Sequence, residues 1–254
     1  MKQIISDILN FLFPRRCVMC GNRLTASEKS ICASCYIHLP YTNYHTVEHS
    51  PLEKIFWKQF PIERATSIFY YGGNETRRII HLLKYKSRPE VGYNLALTYA
   101  KELEEYRFFE NIDCIIPIPL HWKRQMKRHY NQCFYVAKGI SKVTGIPIYN
   151  NVIKRVVNNP TQTRLKRFER GNNVDGIFLL KDKQKIEGKH ILLVDDVTTT
   201  GSTIMSCAKE LSKASNIKIS VFTLAKVSKV PIPVSKEECA DASVYGLPLM
   251  ESHS

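Results

Sequence analysis

ILLVDDVTTTGST, residues Ile191 to Thr203, decides how this chain is read. Four consecutive aliphatic residues form a short apolar run, as in a strand covered on both faces. Two acids close the run, and a loop of Thr, Gly and Ser leads into a helix expected from about Ser202 to Lys213. Each part has a physical task. Ligands of open α/β sheets settle beyond the carboxyl ends of strands. Loop amides, with the next helix N-terminus behind them, favour an anion there. Gly201 would let the backbone close on a phosphate, and the hydroxyls of Thr199, Thr200, Ser202 and Thr203 would add donors. Asp195 and Asp196 repel a phosphate at contact distance, so they should face a donor, and a ribose diol is one. Carboxylates buried against basic side chains with no cavity beside them would undo this assignment.

Working outward, short apolar strands alternate with helices. ATSIFYY (Ala65 to Tyr71) reads as a strand, and Asn74 is placed to cap a helix through Ile79, Ile80 and Leu83. Pro89 opens a second helix, to about Tyr106. DCIIPIP (Asp113 to Pro119), GIFLL (Gly176 to Leu180), HILLVDD (His190 to Asp196) and IKISVFTLA (Ile217 to Ala225) are further strand candidates. The alternation argues for βαβ units and a parallel sheet, an α/β fold.

Four of the eight cysteines fall between residues 17 and 35. Cys17-x2-Cys20 and Cys32-x2-Cys35 supply four thiolates, the tetrahedral set of a structural Zn²⁺, with Gly21 suited to a tight knuckle turn. Two redox pairs or disulfides are the competing use. Two basic segments flank the sheet. If the residues after CIIPIP are helical, Arg124, Arg128 and Asn131 share one face, with Gln132 next to them, and suit a pyrophosphate. NNPTQTRLKRFERGNN, Asn158 to Asn173, offers Gln162, Arg164, Lys166, Arg167, Arg170 and Asn173 as a flap over a phosphorylated ligand. A third basic stretch, Arg77 to Lys86, reads as ordinary helix surface.

The chain has 254 residues, 44% of them hydrophobic, which is enough for a packed core. Its net charge of +14 favours polyanionic partners without choosing among them. No apolar run reaches the roughly 20 residues needed to span a bilayer. The first residues suggest an amphipathic helix with Ile4, Ile5, Ile8, Leu9 and Leu12 on one face, and the expected location is cytoplasmic.

The Ile191–Thr203 segment resembles the signature of type I phosphoribosyltransferases, in which two acids bind the ribose hydroxyls and the Thr-rich loop holds the 5-phosphate. The resemblance implies Asp195 and Asp196 as catalytic positions, and Mg²⁺ with phosphoribosyl pyrophosphate as ligand. The order of features is similar to the ComF (ComFC) family of competence proteins. A four-cysteine knuckle comes first, then Tyr-Tyr-Gly-Gly before a helix ending in LLKYK, then IPIPLHWKRQMKRHYNQ, PTQTRLKRFERGNNVDGIF and the signature. That family joins an N-terminal zinc ribbon to a phosphoribosyltransferase-like domain. Its Arg-Gly-Phe-Asn-Gln pattern here becomes Arg128-His129-Tyr130-Asn131-Gln132, with His129 in place of a glycine.

The implied organisation is a helix and zinc ribbon over 1–40, a connector over 41–63, the phosphoribosyltransferase-like domain over 64–227 and a loosely attached tail over 228–254. Three functions follow as expectations. The first is a protein of DNA uptake that binds phosphoribosyl pyrophosphate or a nucleotide. The second is a metabolic phosphoribosyltransferase acting on a base or amine. The third is a basic adaptor with a vestigial site, engaging single-stranded DNA or a helicase.

Overall fold

The aliphatic run becomes an inner strand of a parallel sheet. The computed structural model describes residues 14–57, 60–158 and 176–228. The N-terminal amphipathic stretch, the tail after Ser228, and the flap candidates Gln162, Arg164, Lys166, Arg167, Arg170 and Asn173 lie outside those residues. In chain order the described strands are β1 (Ala65–Tyr71), β2 (Cys114–Pro117), β3 (Ile153–Arg155), β4 (Phe178–Leu180), β5 (His190–Thr198) and β6 (Lys218–Val227). The helices are α1 (Ala33–Ile37), α2 (Pro51–Lys54), α3 (Asn74–Tyr85), α4 (Pro89–Glu105), α5 (Trp122–Arg128), α6 (Gln132–Thr144) and α7 (Ser202–Leu211).

Four strands form one sheet in the order β1-β6-β5-β2, every neighbour parallel. Successive side chains of a strand point to opposite faces. Accordingly Ile191 and Leu193 join one apolar cluster, while Leu192 and Val194 join the other. One face carries α3, α4 and α6 together with the cysteine knuckle, and α7 covers the other. β5 is therefore buried on both sides, as a continuous aliphatic run requires.

Two expectations need correction. GIFLL does not enter the parallel sheet: β4 pairs antiparallel with β3 in a separate two-stranded sheet. Phe178 is buried and Leu179 is 44% exposed, an alternation that suits a ribbon covered on one face only. Asn74 does not cap α3 but begins it, after Gly73 in an extended conformation. The Thr76 hydroxyl serves that turn instead, accepting from the Gly72 amide and donating to the Gly73 carbonyl, each at 3.2 Å.

The stretch from 41 to 57 contributes Tyr44, Leu52 and Phe56 to the interior. Ser50 and Glu53 close a capping box at α2, and Glu53 also accepts from the Ala65 amide of β1 at 3.1 Å. This fastening matters because α2 delivers Ile55 and Phe56 to the loop that follows β5.

Candidate ribose-phosphate site

Beyond β5 the chain turns through Thr199 and Thr200 into Gly201, which has φ +77° and serves as N-cap of α7. A Cβ on Gly201 would stand 2.9 Å from Ile55 Cγ2 and 3.0 Å from Phe56 Cε1. Both the left-handed backbone and the close approach therefore require glycine. From β6, Lys226 donates to the Thr199 carbonyl at 2.9 Å and to the Val227 carbonyl at 2.7 Å, fixing the start of the loop from below. The side chains of Thr199, Thr200 and Ser202 are exposed, and Thr203 is half-buried. Thr198 is buried, and among the described residues its hydroxyl has no hydrogen-bond partner. A donor-lined turn at a helix N-terminus, with one hydroxyl unspent, fits an anionic ligand.

The two acids sit within β5 rather than after it, and both are buried. Their donors come from the protein. Asp196 Oδ1 lies 3.0 Å from the Lys84 ammonium, and its Oδ2 accepts from Gln132 Nε2 at 2.8 Å. Asp195 Oδ1 accepts from the Asp196 amide at 2.9 Å and from the Cys133 thiol at 3.5 Å. Burial first, then the Asp196 charge, push Asp195 up to about 6, against the lowering effects of the Asp196 amide, Lys84 and Cys133. Burial and then Asp195 hold the Cys133 thiol well above its ordinary value, so it is a neutral donor. The donor expected from the sequence was a sugar diol. Here Lys84 and Gln132 hold that position, so Asp196 is buried against a basic side chain, the first half of the condition that would undo the diol assignment, and a diol reaches it only if Lys84 or Gln132 moves.

Lys84 corrects the reading of Arg77 to Lys86 as plain surface, since it is the ion-pair partner of the central acid. The basic segment after β2 also differs from expectation. α5 stops at Arg128, His129 takes φ 65°, and Asn131 caps a new helix, so Arg124, Arg128 and Asn131 do not share one helical face. The left-handed turn stands where the related pattern has glycine, and its shape is the one a glycine would supply. Asn131 is spent on structure: its Oδ1 accepts from the Cys133 amide at 3.1 Å, and its Nδ2 donates to the Ile118 carbonyl at 3.0 Å. Gln132 is buried and links Asp196 to Arg128, whose Nη1 donates to Gln132 Oε1 at 3.0 Å.

Arg155, at the end of β3, was not singled out from the sequence. Burial and then the Arg124 guanidinium pull its pKa down, while Asp195 pulls it up. Arg155 therefore lies within electrostatic reach of both Asp195 and Arg124. An open cavity of about 340 Å³, lined by Glu104, Arg107, Phe109, Glu110, Thr144 and Ile146, lies instead where α4 and α6 end. Neither the paired acids nor the loop hydroxyls line it.

The sulfurs of Cys17, Cys20, Cys32 and Cys35 lie within 4.8 Å of one another. Gly21 turns the first knuckle at φ +80°. Burial raises the Cys17 pKa, but the amides of Cys20, Cys32 and Met19 outweigh it and bring the thiol down to about 7; burial and the neighbouring sulfurs raise Cys35. Four thiolates this close ionise together only around a cation. The donor set fits structural zinc with no open coordination position. Among the described residues no helix is long and apolar enough to cross a membrane.

Residues 8–45 match the family model of the double zinc ribbon domain. They contain four cysteines, ligands for a single ion. Competence protein F of Haemophilus influenzae is 29% identical over 86% of this chain and 100% of its own length. The chain is similar to competence protein F along that whole length. The DNA utilization protein YhgH of Escherichia coli K12 is 27% identical to this chain over 83% of the chain and 89% of the relative. Among solved structures, adenine phosphoribosyltransferase from Thermoanaerobacter pseudethanolicus aligns over 69% of this chain and 99% of that chain, with 13% identity and a TM-score of 0.35.

Proposed function

We propose that this chain is a ComF-like protein that serves the handling of incoming DNA and binds a phosphorylated ribose, as phosphoribosyl pyrophosphate or a nucleotide, beyond the carboxyl end of β5. The carrying observation is the order of groups on one strand and its loop: two buried acids, then a left-handed Gly201 at the head of α7, with the Thr198 hydroxyl left without a partner among the described residues. The 5-phosphate would take the amides and hydroxyls of Thr199 to Thr203, and the ribose hydroxyls would take Asp195 and Asp196. Mg²⁺ carried with a pyrophosphate would supply charge neutralisation there. Arg124, Arg128 and Arg155 are the proposed cations for the pyrophosphate, Arg155 lying within electrostatic reach of Asp195, and Gln162, Arg164, Arg170 and Asn173 are proposed as the flap over the ligand. The relatives' names support the cellular role: a competence protein and a DNA utilization protein.

Calorimetric titration with phosphoribosyl pyrophosphate and Mg²⁺ tests the site. Wild type should bind, and Asp195→Asn/Asp196→Asn should bind at least about tenfold more weakly. Equal affinity in both would sink the assignment. Pyrophosphate release in the presence of a panel of bases would report whether the site also turns over. In a strain lacking the gene, rescue of DNA uptake by the double variant would make the ligand site dispensable for that role.

A DNA-binding reading is favoured by one further observation. Trp122 and Met126 on α5 are 58% and 67% exposed, and Lys123 Nζ stands 5.4 Å from the Trp122 ring. An exposed ring beside a cation suits a stacked single-stranded base. Affinity for a labelled single strand should fall steeply with salt, and Trp122→Ala should weaken it; a flat salt response removes this reading.

A further inference from the structure

Lys84 is held where a surface lysine would not be. Its side chain is 22% exposed, and its ammonium stands 3.0 Å from Asp196 Oδ1. The end of α3 is fastened on both sides of it. The Tyr130 hydroxyl donates to the Leu83 carbonyl, and the Arg128 guanidinium lies 5.4 Å from the Tyr85 ring centre. The other oxygen of Asp196 is taken by Gln132 at 2.8 Å, and Gln132 is itself held by Arg128 at 3.0 Å. Two adjacent buried carboxylates thus share one ion-paired ammonium.

A ribose diol could replace the hydrogen bond that Lys84 makes but not its charge, and a buried carboxylate stripped of its counter-ion is strongly disfavoured. A ligand that arrives with a divalent cation replaces both.

We propose that Lys84 is the displaceable resident cation of this site, and that it makes the site selective for ribose phosphates that bring a divalent metal ion. The inference rests on the ribose-phosphate reading above. It makes Lys84 a specificity-determining residue acting through Asp196, with no part in any bond-making step.

The test uses the full chain, wild type and the variants Lys84→Gln and Lys84→Arg, titrated with Mn²⁺ alone while free Mn²⁺ is counted by electron paramagnetic resonance. Lys84→Gln should bind Mn²⁺ about tenfold more tightly than wild type, because an opposing charge next to the acid is gone. Lys84→Arg should show no gain, and adding Asp196→Asn should abolish the gain in Lys84→Gln. In parallel, wild type should bind phosphoribosyl pyrophosphate only with Mn²⁺ present and should reject metal-free ribose 5-phosphate.

No gain of Mn²⁺ affinity in Lys84→Gln overturns the proposal. So does wild-type binding of metal-free ribose 5-phosphate as tight as that of the metal-loaded pyrophosphate. A gain in Lys84→Gln alongside a wild type that ignores phosphoribosyl pyrophosphate would keep the displaceable cation and overturn only the ribose-phosphate reading. Should Lys84→Gln fail to fold, wild-type protein with ¹³C-methylated lysines decides the matter instead. The Lys84 resonance should move on adding the Mg²⁺-loaded pyrophosphate and stay in place with ribose 5-phosphate alone; immobility in both overturns the proposal.

Discussion

Asp195 shares its burial with a second carboxylate, and its folded-state pKa of about 6 lies above the ordinary 3.8. A raised carboxyl pKa means that the native state keeps a proton the unfolded chain gives up. Stability from this group is therefore whole below about 3.8 and is lost as pH climbs through about 6. At roughly 1.4 kcal/mol per unit, the loss by neutral pH is about 3 kcal/mol. Thermal unfolding between pH 4 and 7 should show this decline in wild type, and Asp195→Asn should flatten it. His129 is strained in another way. It holds φ 65°, a conformation costing a non-glycine residue about 1–2 kcal/mol, part of which glycine would give back as chain entropy. His129→Gly should raise the unfolding free energy by about 1 kcal/mol in urea, and a loss instead would mean that the imidazole makes a stronger contact than the strain it bears. At this scale the sequence disclosed the order of acids, hydroxyls and glycine. It did not disclose who faces them, because Cys133 and Gln132 lie 62 and 64 residues from their carboxylate partners, on α6 and not on β5.

Helices α4 and α6 cross closely at Gly139. A Cβ there would stand 2.4 Å from the Tyr93 carbonyl oxygen and 2.9 Å from the Leu97 amide nitrogen, both backbone atoms that cannot rotate away. Gly139→Ala should therefore force the two helices apart and cost about 3 kcal/mol or more, measurable as a lower denaturation midpoint. A cost under about 1 kcal/mol would show that the crossing can relax. Elements with strong signals were legible. ATSIFYY became β1 residue for residue, and Pro89 opens α4 as its fixed φ suggests. The break between α5 and α6 was not, since no Gly or Pro marks it. The turn is set by Asn131 capping α6 and by Tyr130 reaching Leu83, contacts made only once β2 and α3 are in place.

Across the whole molecule the cysteine knuckle is part of the main core. Val18, Met19 and Leu24 are buried in the cluster that α3, α4 and α6 also fill, and Arg78 and Asn94 donate to the Met19 carbonyl and the Ser30 hydroxyl at 3.3 and 2.8 Å. Removing zinc should accordingly weaken the entire fold. Calorimetry should show the single melting transition falling by about 5 °C or more with a strong chelator, and elemental analysis about one zinc per chain. An unchanged melt with no zinc found would return Cys17, Cys20, Cys32 and Cys35 to ordinary thiols. Local pattern alone determined the four-cysteine module, the parallel α/β class and the acid-loop-glycine stretch, because period, spacing and backbone freedom are properties of neighbouring residues. Only the tertiary structure decided that Lys84 neutralises Asp196, that Ile55 and Phe56 press on Gly201, and that β4 leaves the parallel sheet. Those outcomes depend on which distant side chains burial brings together, and charge and shape complement each other only after the sheet has formed.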